Sequence, residues 1–429
     1  ALPRGRILVM GGDQVYPTAS PEDYAARLRA PYDMAARAWP KDGTKPDLYA
    51  IPGNHDWYDG LSAFLGLFCA RRLPGAWSQP HDGRVIGGRQ TQQTRSYFAL
   101  RLPGNWWLWG ADIQLSGYVD QPQIEFLAHV ARQWMAPGSN LILCTGQPSW
   151  AYIEPEDPKP AYRTLSYLEG LAGLAGRGHR LRLVLSGDSH HYSRYVEGDI
   201  HYITAGGGGA FLHPTHHLED KHFRWDYPPA AAPATPGGGP NQRHITIARN
   251  AAGEEALYPS RAVSRGLTWG NLLFPFLNFA YVVTLAAVSG LFTWLLDVNA
   301  RLDGSSLAAI LGTAPGFGAA LCDYVTLIFA SPWPAVVVLA AGGGYYYLAT
   351  YRWRRTAGFL HALAQLGTTA LLTIGLAFLL QHFQEQRWVL ILAVAVTGGF
   401  GAAVIMGLYL LVSLNLFGTH WNEAFSSLR

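Results

Sequence analysis

Up to about Gly266, short apolar runs alternate with stretches of helical periodicity. Residues 6–10, 47–51, 96–100, 106–109, 141–144, 182–185 and 201–204 are rich in β-branched, aromatic and Leu side chains and are bounded by turn residues, which predicts strands. Residues 21–39, 61–72, 122–135 and 164–175 carry apolar positions at i, i+3 and i+4, which predicts helices. Buried strands interleaved with helices predict a layered α/β domain, with polar site residues just beyond the strand ends. Residues 228–240, rich in Ala, Pro and Gly, predict a loop or linker, with a strand-like stretch at 244–248. No internal repeat is present.

Beyond Gly266 the pattern changes. Four long apolar stretches cover 272–296, 333–351, 357–383 and 389–417. Each is long enough for a helix to cross a bilayer, which takes roughly 20 residues, with 333–351 the shortest. Core helices rarely run so long without a polar face. Trp269, Trp294, Trp333, Trp353 and Trp388 fall near the predicted ends, where amphipathic rings favour the interface. Residues 305–326 are also apolar and predict an interfacial or re-entrant piece; a fifth span there would move the C-terminus to the other side. Arg261, Arg265, Arg352, Arg354 and Arg355 share one side of a four-span arrangement, against Arg301 and Arg387 on the other. The positive-inside bias therefore predicts an integral membrane protein with its first domain in the cytoplasm. No charged residue lies mid-span, so anchoring fits better than ion transport.

Composition narrows the picture. With 429 residues, two units are expected, and a net charge of +3 gives no sign of a nucleic-acid partner. Charged residues make up 14% of the chain, a deficit concentrated in the second half. Cys69, Cys144 and Cys322 are widely spaced, which suits neither a disulfide framework nor a thiolate metal site. The first strand begins almost at once and the chain ends in a polar stretch, so the expectation is a fragment of a longer protein. The expected organisation is a first domain over 1–227, a linker and juxtamembrane segment over 228–266, a transmembrane region over 267–418 and the start of a polar segment over 419–429.

The chemistry gathers at predicted strand ends. Gly11-Gly12-Asp13-Gln14 follows the first strand and Gly53-Asn54-His55-Asp56 the second. Thr145-Gly146-Gln147-Pro148 and Gly187-Asp188-Ser189-His190-His191-Tyr192 follow two later ones. Carboxylates, an amide oxygen and imidazoles beside small residues suit hard divalent cations. In this order the motifs resemble the calcineurin-like metallophosphoesterase superfamily, whose signature runs D-x-H, GD, GNHD or GNHE, a later His, and GHxH. The resemblance covers roughly residues 5–215, with GGGGAFLH at 206–213 closing the site region. A weaker likeness is to a membrane-anchored subgroup with a GDxHHY final motif and a C-terminal HWNEAFSSLR-like segment.

The resemblance implies an α-β-β-α metallophosphoesterase sandwich followed by an all-α transmembrane bundle. It further implies two divalent metal ions (Mn, Fe, Mg or Zn). Asp13 would bridge them, Asn54 would bind one through its amide oxygen, and His190 would bind the other. Asp188 stands where the family has the first His of GHxH and would be a substituted ligand. His55 would face the leaving-group oxygen, with Asp56 orienting it. Gln147 stands at about the place of the later histidine, and His191 and His213 are near enough in sequence to serve as further ligands. D-x-H is absent and is expected upstream of residue 1. The implied activity is hydrolysis of a phosphomonoester or phosphodiester, and tethering points to a phospholipid or lipid-linked pyrophosphate as substrate. The alternative is a non-catalytic membrane sensor or scaffold, which Gln147 and Asp188 favour.

Overall fold

The computed structural model describes residues 5–38, 46–69, 84–113, 117–173, 176–206, 212–226, 241–347, 354–381 and 387–416. The chain divides into two compact units, residues 1–210 with 218–260 and residues 211–217 with 261–429.

The first unit carries thirteen strands among its described residues. They are β1 (Ile7–Met10), β2 (Asp47–Ala50), β3 (Val85–Ile86), β4 (Arg89–Thr91), β5 (Phe98–Leu102), β6 (Trp106–Gly110), β7 (Asn140–Cys144), β8 (Arg180–Ser186), β9 (Tyr192–Glu197), β10 (Ile200–Ala205), β11 (Lys221–Arg224), β12 (Gln242–Ile247) and β13 (Leu257–Tyr258). One sheet runs β1-β2-β4-β3, and the other runs β11-β12-β9-β10-β8-β7-β6-β5 with β13 beside β9. Strands β1 and β2 are parallel, as are β6, β7, β8 and β10 along the middle of the larger sheet.

Alternation along the strands sends side chains in two directions. Val9, Tyr49 and Ile51 of the small sheet meet Phe98, Leu100, Leu108, Ile142 and Leu185 of the large one in a shared cluster. On its other face the small sheet buries Met10, Leu48 and Ala50 against Tyr24 and Leu28 of the helix at 21–36 and Phe64 and Phe68 of Ser62–Phe68. The large sheet buries Trp107, Trp109, Leu141, Leu143 and Val184 against the helices at 121–134 and Lys159–Gly173. Ser20 and Asp120 cap the first and third of these helices, each accepting a backbone N–H at 3.0 Å.

Several boundaries differ from expectation. The helix expected at 61–72 ends at Phe68, and residues 70–83 lie outside those described. The expected linker is part of the fold: 241–260 belongs to the first unit, and β12 pairs with both β9 and β11. Its buried Arg243 sits 2.5 Å from Glu197 and 3.4 Å from Glu169, an arrangement that composition does not announce. Residues 227–240, where most of the Ala/Pro/Gly stretch lies, fall outside the described residues.

In the second unit, three helices are long and apolar enough to cross a membrane: Phe279–Leu302, Arg355–Leu379 and Arg387–Leu416. Phe317–Phe329 and Pro332–Tyr347 together would make a fourth, bent by 101°. The first expected span began too early. Residues 269–277 form short, separate turns, and Asn278 breaks the chain before Phe279. The expected second span loses its end at Tyr347, with Trp353 outside the described residues, and 305–326 holds the helix Leu307–Gly312 and most of the bent pair's first half. Small residues let Phe279–Leu302 and Arg387–Leu416 approach closely: a Cβ on Gly399 would lie 2.5 Å from the Val282 carbonyl oxygen.

Candidate functional site

Four strand ends converge, and glycines make the convergence possible. A Cβ on Gly12 would lie 2.9 Å from Gly53, and one on Gly146 would lie 3.2 Å from the Pro52 carbonyl oxygen. One on Gly187 would lie 3.5 Å from the Gly11 carbonyl oxygen. The loops after β1, β2, β7 and β8 are thus packed backbone to backbone at the carboxyl ends of parallel strands, where open α/β sheets place their sites.

Two of the expected ligands hold an uncommon backbone conformation. Asp13 has φ 51° and Asp188 has φ 60°, in the left-handed region that L-residues adopt at a cost. Strain of this kind at two facing loops points to a site rather than to ordinary turns.

Asp56 is fully buried, and its carboxylate binds backbone. Its Oδ2 accepts from the amides of Gly53 and Asp13, both at 2.8 Å, and its Oδ1 accepts from the Tyr24 hydroxyl. It therefore joins the GD and GNHD loops. This corrects the expected role: its two oxygens are engaged by these donors, and the His55 ring is oriented by other groups. His55 Nδ1 lies 2.5 Å from the Pro17 carbonyl oxygen, and because a carbonyl only accepts, the proton is assigned to Nδ1 and Nε2 is left for exchange. Tyr16 lies against the ring at 3.9 Å, tilted by 37°, and Tyr58 meets it edge-on at 4.7 Å. The His55 amide in turn donates to Asp13 Oδ1 at 2.9 Å. Burial pushes the Asp13 carboxyl up from its ordinary pKa, with the His55 amide opposing, and burial pushes Asp56 up to about 6.

Asn54 places its Nδ2 3.4 Å from the Tyr58 hydroxyl, while its Oδ1 is buried without a hydrogen-bond partner. Gln14 is similar: Nε2 donates to the Ile51 carbonyl at 3.0 Å and Oε1 is buried and unpartnered. Buried polar atoms are nearly always satisfied, so two amide oxygens near Asp13 without a partner among the described residues have the chemistry of cation ligands. His190 lies near this group, its ring 6.4 Å from Tyr16. Among the described residues, however, no group of three or more His, Cys, Asp and Glu side chains is gathered for a metal ion.

The Gln147 residue is exposed. His191 is buried, with Nε2 3.3 Å from Ser193 Oγ, so it serves the β9 core. His213 belongs to the second unit. Of the stretch expected to close the site, 207–211 lies outside the described residues, while Gly206 donates its amide to the His191 carbonyl at 3.2 Å. The HWNEAFSSLR segment also lies outside them.

Gln14, Tyr16, Tyr24 and Tyr58 were missed as site residues. Their proximity to the recognised motifs was the available signal, since three lie within three positions of Asp13 or Asp56. Asp112 was missed as well: it follows β6 and accepts from Trp57 Nε1 at 3.0 Å and Ser96 Oγ at 2.5 Å.

No family model matches the chain, and no curated protein matches it. The chain is similar to a solved structure described as "GAP50 the anchor in the inner membrane complex of Plasmodium", with 13% identity and a TM-score of 0.34. The match covers 48% of this chain and 62% of that one, a likeness too slight to carry an argument about fold or function.

Proposed function

We propose that this chain is a membrane-anchored phosphoester hydrolase of the calcineurin-like metallophosphoesterase type. The observation that carries the reading is Asn54 Oδ1, buried and unpartnered in a GNHD loop that Asp56 ties to the Asp13 loop. An unsatisfied buried acceptor costs about 1–3 kcal/mol, which a bound cation would offset. Helix, sheet, sheet and helix succeed one another through the three core clusters, in keeping with the sandwich of that superfamily.

Asp13, Asn54, Asp188 and His190 would hold the divalent ions, and Gln14 is an added candidate. When bound, such ions supply a hydroxide at neutral pH and offset charge on the phosphoryl oxygens. The protein's own groups do the rest. Hydrogen-bonded to Pro17 through Nδ1–H and flanked by Tyr16 and Tyr58, His55 in its imidazolium form, having taken a proton from solvent at Nε2, would deliver that proton to the departing oxygen and return to the neutral ring. Asp56 and Tyr24 keep the two loops together.

The second unit anchors the protein. Arg301 and Arg387 both pair with Asp297, at 2.8 and 3.0 Å, so residues 302 and 387 share one membrane face. The chain between them would then cross an even number of times, which favours reading the bent pair as one crossing and the total as four. On that reading Arg261, Arg265, Arg352, Arg354 and Arg355 lie on the first unit's side against Arg301 and Arg387 on the other, the bias that would place the first unit in the cytoplasm. A phospholipid or lipid-linked pyrophosphate is the substrate class that tethering favours.

The absence of a gathered His/Cys/Asp/Glu group among the described residues favours a second reading, a sensor or scaffold without catalysis. Hydrolysis of a generic phosphodiester and a generic phosphomonoester by the natural full-length protein separates the two. Activity that requires Mn²⁺, stops on chelation and vanishes in Asp13→Asn supports the enzyme. A protein that neither binds Mn²⁺ nor cleaves either ester is a scaffold.

A further inference from the structure

In sequence, a segment with an unusual concentration of exposed large apolar side chains leads into the first candidate span. The helix Arg261–Thr268 buries Ser264 and Thr268, and the turns that follow bury Asn271 and Phe274. Around this packed side, large apolar groups are exposed: Val263 at 53%, Trp269 at 64%, Leu273 at 54% and Phe276 at 71%.

The arrangement of the helix is directional. At 3.6 residues per turn, Val263 and Leu267 form a stripe about 160° from the Arg261 and Arg265 stripe. Ser264 and Thr268 lie between the two and face their own unit. Ser264 Oγ accepts from the Thr215 amide at 3.0 Å and lies 2.8 Å from His216 Nδ1, while Thr268 Oγ1 accepts from Asn415 Nδ2 at 2.9 Å. One edge is therefore held by protein, one is apolar and one is cationic.

Such a helix cannot continue the span, because Asn278 breaks the chain and Phe279–Leu302 is long enough by itself. We infer that residues 261–269 lie in the plane of the membrane–water interface as a lipid-binding surface, anchored on their packed side by Thr215, His216 and Asn415, while Asn271 and Phe274 continue down the last candidate span to Gly407 and Met406. Val263 and Leu267 enter the acyl boundary, and Arg265 stays among the headgroup phosphates. Trp269 occupies the interfacial level that its amphipathic ring favours. The occupant is the lipid surface because the exposed apolar groups continue directly into a candidate span, at Phe279, itself 73% exposed.

The test uses the full chain, with Cys69, Cys144 and Cys322 replaced by alanine, reconstituted in phosphatidylcholine–phosphatidylglycerol vesicles. Single nitroxide labels are placed through Leu267→Cys and Arg265→Cys, and their exposure to oxygen and to a polar nickel chelate is read by power-saturation spectroscopy. The expected result is a Leu267 label relaxed mainly by oxygen and an Arg265 label relaxed mainly by the chelate. Two labels relaxed mainly by the chelate, or a Leu267 label shielded from both reagents, overturn the inference. A reading free of cysteine changes compares the natural chain with Trp269→Phe in vesicles brominated near the headgroup or near the chain end. Trp269 is expected to be quenched more by the shallow bromines; no quenching attributable to it overturns the inference as well.

Discussion

Asp56 and Asn54 are neighbours but one in the GNHD loop, and their side chains do different work. Asp56 accepts two loop amides through one oxygen, so Asp56→Asn keeps the shape but weakens the junction of the GD and GNHD loops. Denaturation of the whole protein is expected to show a loss of about 1–3 kcal/mol. Asn54→Leu removes an acceptor that has no partner among the described residues. Stability is expected to hold while Mn²⁺ affinity, followed by titration calorimetry, drops about tenfold or more. Asp112 supplies a pH dependence away from the expected ligands. Burial raises its pKa from 3.8 to about 6, so the folded state holds its proton more tightly than the unfolded chain. Its contribution is fully present below 3.8 and is lost as pH rises to about 6, a decline of about 3 kcal/mol by linkage. Thermal unfolding between pH 4 and 7 is expected to show that slope in the natural protein and a flatter profile in Asp112→Asn. The motif residues were readable because each follows a strand-like run. Tyr24 and Asp112 were not, because only folding brings a residue 32 positions away to Asp56, or one 55 positions away to Trp57.

Elements with a strong local signature were readable to within a few residues: β1, β2, β6 and β7, and the helices at 21–36 and 121–134. Those stabilised by distant partners were not. Strand β9 begins at Tyr192, the last residue of the Asp188–Tyr192 motif, and was not expected; β12 was legible only as a strand-like stretch at 244–248, and its place is fixed by antiparallel pairing with β9 and by the buried Arg243–Glu197 contact. The same dependence on neighbours makes Gly206, just past β10, intolerant of change. A Cβ there would lie 1.8 Å from the Ser189 carbonyl oxygen, a backbone atom unable to swing aside. Gly206→Ala is expected to cost about 1–3 kcal/mol in stability. It is also expected to displace the Ser189–His190 backbone, which amide hydrogen exchange across 186–192 would report as lost protection.

Across the whole molecule, the two-part plan and the apolar second half were evident from composition, while the bent pair of helices was not, because hydropathy carries no direction. If Phe279–Leu302 crosses the membrane as proposed, Ser260 and Ser305 lie on opposite faces. An impermeant maleimide applied to intact cells and to inverted vesicles is expected to label Ser260→Cys and Ser305→Cys from opposite sides. Asp297→Ala would leave two partly exposed arginines unpaired, with an expected loss of about 1–3 kcal/mol, less than for a fully buried pair.

His216 adds a dimension of time. It belongs to a short stretch, 211–217, inserted between two parts of the first unit yet grouped with the helices. Its Nε2 lies 2.9 Å from the Leu414 carbonyl oxygen, 198 residues further along the chain. At ribosomal speeds of about 5–20 residues per second, that partner emerges about 10–40 s later. During synthesis the nascent chain therefore carries an unfinished stitch through its already folded first half, drawn tight only when the last helix has been made.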